Sequence, residues 1–189
     1  MSITTAPIQL PGYTLTETLY QGARTTVYRA IEIATQRSVV IKVLSQNYPS
    51  FADLVQFRNQ YTLTQRLPIS GIVRPLKLLP YGNGYGLVME DFEGMTDLGQ
   101  YSQSASLSVI ETLGIAVQLA DILHELHQHQ IIHKDVKPAN ILIQPVSKQI
   151  KLIDFSIASR LPQETQALQN PASLEGTLAY LAPEQTGRM

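Results

Sequence analysis

Between residues 13 and 44 the chain alternates apolar and polar positions in three short bursts. Residues 13–19, 26–31 and 38–44 are rich in β-branched and aromatic side chains and are separated by a glycine-bearing turn and by the polar turn 34–37. This pattern predicts three antiparallel strands. The period then changes. Phe51, Leu54, Val55, Phe57, Tyr61 and Leu67 recur at loosely helical spacing, and Pro68 stops the helix they predict over 51–67. Residues 72–79 and 85–90 flank Gly82-Asn83-Gly84 and predict a second hairpin. A longer helical period follows over 107–130. Ser108 and Glu111 have capping-box spacing, and Val109, Leu113, Ala116, Val117, Ala120, Leu123 and Leu126 share one face. The apolar runs 141–143 and 151–154 read as short strands, the second ending on Asp154, and the polar stretch 159–175 has little periodicity. Five strands with one helix, then a helix-led half, define an α+β chain. A polar tail covers 1–11, a strand-rich part 12–91 and a helix-led part 92–189.

Composition narrows the picture by exclusion. With 189 residues, 44% of them hydrophobic and 15% charged, the chain is sized for one globular domain. A formal net charge of -1 leaves no electrostatic footprint for nucleic acid or an anionic membrane. The absence of cysteine excludes a disulfide framework and thiolate metal sites, which suits the cytoplasm. No basic leader precedes an apolar core, and no apolar run approaches membrane-spanning length, so no membrane segment is expected. His124, Glu125 and His127 fall short of a zinc-helix motif, because Gln128 stands where the second histidine belongs; they read as solvated helix residues.

The stretch Ile132-His133-Lys134-Asp135-Val136-Lys137-Pro138-Ala139-Asn140 joins the long helix to the 141–143 strand and puts a base, a cation and an amide in one loop. Asp135 is suited to accept the proton of an attacking hydroxyl, and Lys137 to neutralise a transferring phosphoryl group. Asn140 offers an amide oxygen to a hard cation such as Mg²⁺. A polar turn between helix and strand is the plain alternative. The residues resemble the HRDxKPxN catalytic loop of eukaryotic-type protein kinases, with Lys134 in place of arginine.

That resemblance can be followed along most of the chain. Residues 20–30 resemble the family's glycine-rich loop but keep only its middle glycine, Gly22; Tyr20 and Thr25 occupy the other two positions. The loss implies a stiffer, less enclosing flap, with Arg24 compensating by charge. By the same resemblance Val27 and Val40 pack on adenine, with Val40 narrowing the pocket, and Lys42 anchors the α- and β-phosphates. Glu90 and Phe92 stand where the family's main chain meets the adenine edge, and Leu142 belongs to the same nucleotide-binding set. Gln60 takes the place of the glutamate that pairs with the strand lysine, so a charge-assisted bond becomes a neutral one. Gln60→Glu is expected to strengthen the hold on Lys42.

Asp154-Phe155-Ser156 resembles the DFG motif with serine for glycine, which implies that Asp154 ligates Mg²⁺ together with Asn140 and that Ser156 reduces backbone freedom. Residues 176–184 match the GTxxYxAPE segment that receives substrate. Lys137 and Thr177 point to serine/threonine rather than tyrosine specificity. The implied protein is a protein-kinase-like α+β fold with a five-stranded antiparallel N-lobe and an incomplete helical C-lobe. It uses ATP and Mg²⁺ on a protein hydroxyl, with Asp135, Lys137 and Lys42 as catalytic residues. The final residues also resemble N-terminal kinase domains of large bacterial, notably cyanobacterial, sensor kinases, whose parent chains carry further signalling domains. Because the chain stops five residues after Glu184, it reads as a fragment lacking the family's helical base, and the 107–130 helix is expected to show an uncovered apolar face. A second class stays open on Gln60, the eroded glycine loop and Ser156: a catalytically silent nucleotide-binding or scaffold module. One regulatory expectation follows the motif spacing. Ser173, three residues before Gly176, is placed to carry an activating phosphate held by Lys134, with Glu175 as a partial substitute.

Overall fold

The three alternating stretches pair as the pattern requires. In a computed structural model that describes residues 9–161 and 177–183, they form β1 (Tyr13–Gln21), β2 (Thr25–Glu32) and β3 (Arg37–Leu44). With β4 (Pro75–Tyr81) and β5 (Gly84–Glu90) they build one antiparallel sheet in the order β1-β2-β3-β5-β4. Prolines at 75 and 80 fall in β4, an edge strand, where a missing N–H costs no ladder bond. Gly82 takes φ +53 in the β4–β5 turn, a conformation open to glycine without a Cβ penalty. One face of the sheet closes on its own small core, in which Leu10 and Tyr13 pack with Ala30, Val39, Ile41, Val43 and Val88.

The helix α1 (Phe51–Thr64) ends three residues earlier than the 51–67 reading, and Leu67 lies beyond it in the approach to Pro68. Likewise the 72–79 reading begins too early. Ile72 is not in β4 but bridges Leu152 in parallel: the Leu152 carbonyl accepts from the Val73 N–H, and the Leu152 N–H donates to the Gly71 carbonyl. The chain divides into two compact units. The first contains β1–β5 and the start of α1, up to Leu54; the second takes the rest of α1 through Arg74 and resumes at Phe92. The reason is where the side chains go: Leu63, Leu67, Ile69 and Ile72 belong to the second unit's core.

That core is built around α3 (Val109–Gln128). Its start is as expected, since Ser108 accepts from the Glu111 N–H and the Glu111 carboxylate accepts from Ser108. Its apolar residues divide between a buried and an exposed side. Ile115, Ile122 and Leu126 are buried and Leu119 and Leu123 pack beside them, whereas Val109, Leu113, Ala116, Val117 and Ala120 are exposed. The helix is apolar on more than one side, so the predicted stripe is divided: its Leu123 and Leu126 pack into the core, while its other members stay exposed. The exposed stripe is the apolar face expected to lie uncovered. His124 and His127 are exposed, as read.

Among the elements with no sequence reading are β6 (Thr96–Asp97) and the short α2 (Leu98–Ser104), capped by the Asp97 carboxylate at the Gln100 N–H. After α3 come β7 (Ile131–Ile132), β8 (Ile141–Ile143), β9 (Ile150–Leu152) and β10 (Ser159–Arg160). They form the sheets β6-β8-β9 and β10-β7. The strand read as 151–154 therefore ends at Leu152, two residues before Asp154, because Asp154 leaves extended geometry with φ +63. Inside this unit Gly71 lies against α3 so closely that a Cβ there would overlap Ile122 near the base of its side chain. Gly71→Ala is expected to lower stability by about 1–3 kcal/mol through overpacking, read as a drop in melting temperature. An unchanged melting temperature would mean that helix and loop separate freely.

Candidate active site

In the first unit the strand register assembles a row of side chains. Val27 on β2 pairs with Lys42 on β3, and Lys42 pairs with Leu87 on β5. Val40 precedes Lys42 by two residues and therefore shares its face. The two valines are half-buried and Lys42 is only 7% exposed, so the lysine stem is buried beside apolar neighbours. Tyr20 pairs with Val27 at the end of the same row. Its ring lies over Gly22, where a Cβ would collide with it. Gly22 has no positive φ, so here the glycine makes room for Tyr20. The Gly22 N–H is bonded to the Thr25 carbonyl at 2.9 Å, which makes the turn a closed one, and Arg24 is exposed at its tip. Glu90 ends β5 opposite Val39.

In the second unit the loop after β7 organises itself around one carboxylate. Oδ1 of Asp135 accepts from the Thr177 N–H at 3.1 Å and from its hydroxyl at 2.8 Å. Oδ2 accepts from the Asn140 amide at 2.8 Å and from Lys137 Nζ at 2.7 Å. Lys137 Nζ also donates to the Thr177 hydroxyl at 2.5 Å, so lysine, threonine and aspartate form one network. Burial on its own raises the pKa of Asp135. The bonds from Lys137, Thr177 and Asn140 outweigh that and hold the carboxyl below the usual carboxylate range. An ionised, oriented carboxylate beside a cation is what a proton acceptor in phosphoryl transfer requires.

The Asn140 side chain also reveals its orientation. Both groups facing its amide nitrogen, the Asp135 carbonyl and carboxylate, are acceptors at 2.8 Å, so the NH₂ group points there and the amide oxygen is left for another donor or a cation. Asn140 is pinned by its main chain as well, accepting from the Ile153 N–H at 2.9 Å, one residue before Asp154. A carboxamide oxygen and a carboxylate on adjoining segments are the hard oxygen donors that Mg²⁺ selects. Ser156 is not the strained residue of its motif. Asp154 carries the left-handed φ, and Ser156 only directs its N–H toward Asp154 Oδ1 at a long 3.4 Å.

His133 received no role from its position in the motif. It is 2% exposed and packs edge-on against Phe155, ring centroids 4.6 Å apart. The Asp135 N–H points at Nδ1, which must accept, so the proton sits on Nε2 and is donated to the Ile153 carbonyl at 2.9 Å. The neutral ring thus links the segment bearing Asp135 to the one bearing Asp154. Burial holds its pKa below the ordinary 6.5, against the opposing pull of the Ile153 bond. An unfolded chain takes up this proton as pH falls through about 6.5, while the folded chain resists to lower pH. The resulting stability is present above about pH 6.5 and is lost toward the lower folded pKa. Melting temperature is therefore expected to fall as pH drops below about 6.5, and His133→Phe is expected to flatten that slope. An equal slope in the variant would assign it to other groups.

Leu142 lies in β8, paired with Lys151 on β9, and the Lys151 ammonium sits 4.3 Å over the Phe92 ring. Gln60 is buried in α1. Ser173, Glu175, Gly176 and Glu184 lie outside the described residues, so the phosphate-switch reading has no structural description. The structure brings Val27, Val40 and Lys42 together in one unit, and Asp135, Lys137 and Asn140 in the other. Sequence reasoning missed the link made by His133, a bond from Asn59 to the Ala158 carbonyl at 2.8 Å, and an ion pair between Arg29 and Asp91. The signal for His133 was its place next to Lys134-Asp135 in the motif; the other two pairs are too far apart in sequence to leave a local one.

An oriented aspartate with a lysine partner, beside hard oxygen donors, is an arrangement suited to phosphoryl transfer. The protein kinase domain model matches residues 13–188, and the chain belongs to that family. It is 34% identical over 174 residues to serine/threonine-protein kinase PrkC of Bacillus subtilis, covering 92% of this chain and 26% of that protein. It is 34% identical over 187 residues to serine/threonine-protein kinase PkaA of Streptomyces coelicolor, covering 91% and 34%. Serine/threonine-protein kinase PknB of Mycolicibacterium smegmatis is 32% identical over 185 residues, covering 92% and 28%. The chain spans about a quarter to a third of the length of these relatives. The bacterial eukaryotic-type class and the α+β kinase fold are thus as the motifs implied, and members of the family generally use ATP and Mg²⁺. Among the described residues no helix is long and apolar enough to cross a membrane.

Proposed function

We propose that this chain carries an ATP-dependent serine/threonine protein kinase activity, moving the γ-phosphoryl group of Mg-ATP to a serine or threonine hydroxyl of a protein. The observation that carries the reading is the four-way hold on Asp135 by Thr177, Asn140 and Lys137. In this reading Asp135 takes the proton of the incoming hydroxyl and Lys137 offsets charge on the phosphoryl group. Val27, Val40, Leu142 and the main chain of Glu90 and Phe92 hold the base; Lys42, Gly22 and Arg24 hold the phosphates. Asn140 and Asp154 would hold Mg²⁺, which when bound would neutralise phosphate charge. Thr177, tied to both Lys137 and Asp135, supports serine/threonine choice, because it fixes the edge of the segment that meets the acceptor.

The acceptor is a protein, and the short coverage of the relatives supports a longer parent chain with further signalling domains. The cytoplasm, where ATP is plentiful, is the compartment the reading implies. The test is incubation of the purified chain with Mg-ATP and an acceptor protein, followed by phosphoamino-acid analysis. Phosphoserine or phosphothreonine is the expected product. Phosphotyrosine alone, or no transfer under conditions where Mg-ATP is bound, would overturn the reading.

A further inference from the structure

Asp91 directly follows the last residue of β5, and its side chain is only 4% exposed. One oxygen, Oδ2, accepts both from Arg29 Nε on β2 at 2.9 Å and from Ser38 Oγ on β3 at 2.5 Å. Arg29 is held in turn by Glu17, its register partner on β1. A single carboxylate thus ties two strands, and through Arg29 a third, to the point where the chain leaves the sheet. None of these residues has a part in the proposed reaction. Their position gives them one. Arg29 is the register partner of Val40 and lies two residues beyond Val27, so it shares the face on which the base is read to pack.

We propose that Asp91, clamped by Arg29 and Ser38, is a positioning residue for recognition of the nucleotide base. The inference rests on the nucleotide reading above, in which the main chain of Glu90 and Phe92, on either side of Asp91, meets the adenine edge. A main-chain carbonyl recognises a base edge only while its direction is held, and the ladder ends at Glu90. Beyond that point two bonds to one ionised, buried carboxylate, one of them from a guanidinium, restrain the backbone. Restraint before binding removes an ordering cost that a free hinge would incur on each encounter. The device acts on the base alone, because the phosphates are read by other residues.

The separable readout follows from that division. Calorimetry on the chain would use three probes: Mg-ATP, adenosine, and Mg-tripolyphosphate, which has phosphates and no base. Asp91→Ala is expected to weaken ATP and adenosine by about tenfold, as for loss of a hydrogen bond to a charged group, and to leave tripolyphosphate within about twofold. Ser38→Ala removes one of the two bonds and is expected to show the same selective pattern at about threefold, which keeps the test decisive if Asp91→Ala fails to fold. Equal weakening of all three probes would reduce the cluster to a general support of the sheet and overturn the proposal. Unchanged adenosine binding in the variants would overturn it too. A parent chain that binds none of the three would overturn the nucleotide reading itself and this inference with it.

Discussion

Asp135→Asn is expected to lower the turnover number by about 10²–10⁴-fold, the range for removing a positioned general base. The structure argues for the upper part of that range. The two oxygens of Asp135 face four donor groups, Thr177 N–H and hydroxyl, Asn140 NH₂ and Lys137 ammonium. An amide at position 135 satisfies one side and turns its own NH₂ toward donors on the other. If the amide oxygen faces Lys137 and Asn140, Thr177 is left facing an NH₂ group. Either way the change removes the carboxylate and disturbs Asn140, the proposed metal ligand bonded to it. Single-turnover phosphorylation of an acceptor protein checks it, with Mg-ATP affinity measured alongside. A loss of less than about tenfold would place the proton acceptor elsewhere.

The second large effect is on metal dependence. Asp154→Ala is expected to cut ATP affinity in the presence of Mg²⁺ by about 10–100-fold while leaving the much weaker affinity without Mg²⁺ almost unchanged, since metal-shell changes have effects of this size. Alanine introduces a second cost. Residue 154 has φ +63, and a plain L side chain in that region costs about 1–2 kcal/mol, whereas asparagine is tolerated there. Asp154→Asn isolates the lost charge from the lost backbone preference. Both variants should converge on the metal-free affinity of the parent. Equal affinity of the parent for ATP with and without Mg²⁺ would remove Asp154 from the metal site.

These expectations rest on a motif that was readable before any coordinates, and the physical reason is local. Asp135, Lys137 and Asn140 fall within six residues, so a single loop between α3 and β8 holds them close together in any fold that forms that loop. The strands 13–44 were equally readable, because alternation reports a half-buried sheet without reference to the partner. The Ser108–Glu111 capping box was readable too, since both bonds close within one helical turn.

What the chain could not announce are relations across distance or among equivalent choices. Thr177 meets Asp135 across 42 positions, and Arg29 meets Asp91 across 62. No local period records such pairs; they arise only when the sheet register and the loop path are set. The burial of α3 was ambiguous for another reason. Apolar residues occupy several of its sides, so the choice of Ile115, Ile122 and Leu126 over Val109, Leu113 and Val117 came from what packs beside it, including Gly71. The end of β9 was decided by the left-handed turn at Asp154, which an aspartate permits but does not demand. Sequence alone therefore determined the strand pattern, the helix start and the chemistry of the 132–140 loop, all governed by contacts within a few residues. Tertiary structure decided which helix face is buried, how Asp135 is oriented by Thr177 and how Asp91 is clamped, because each depends on groups that only the folded chain brings within bonding distance.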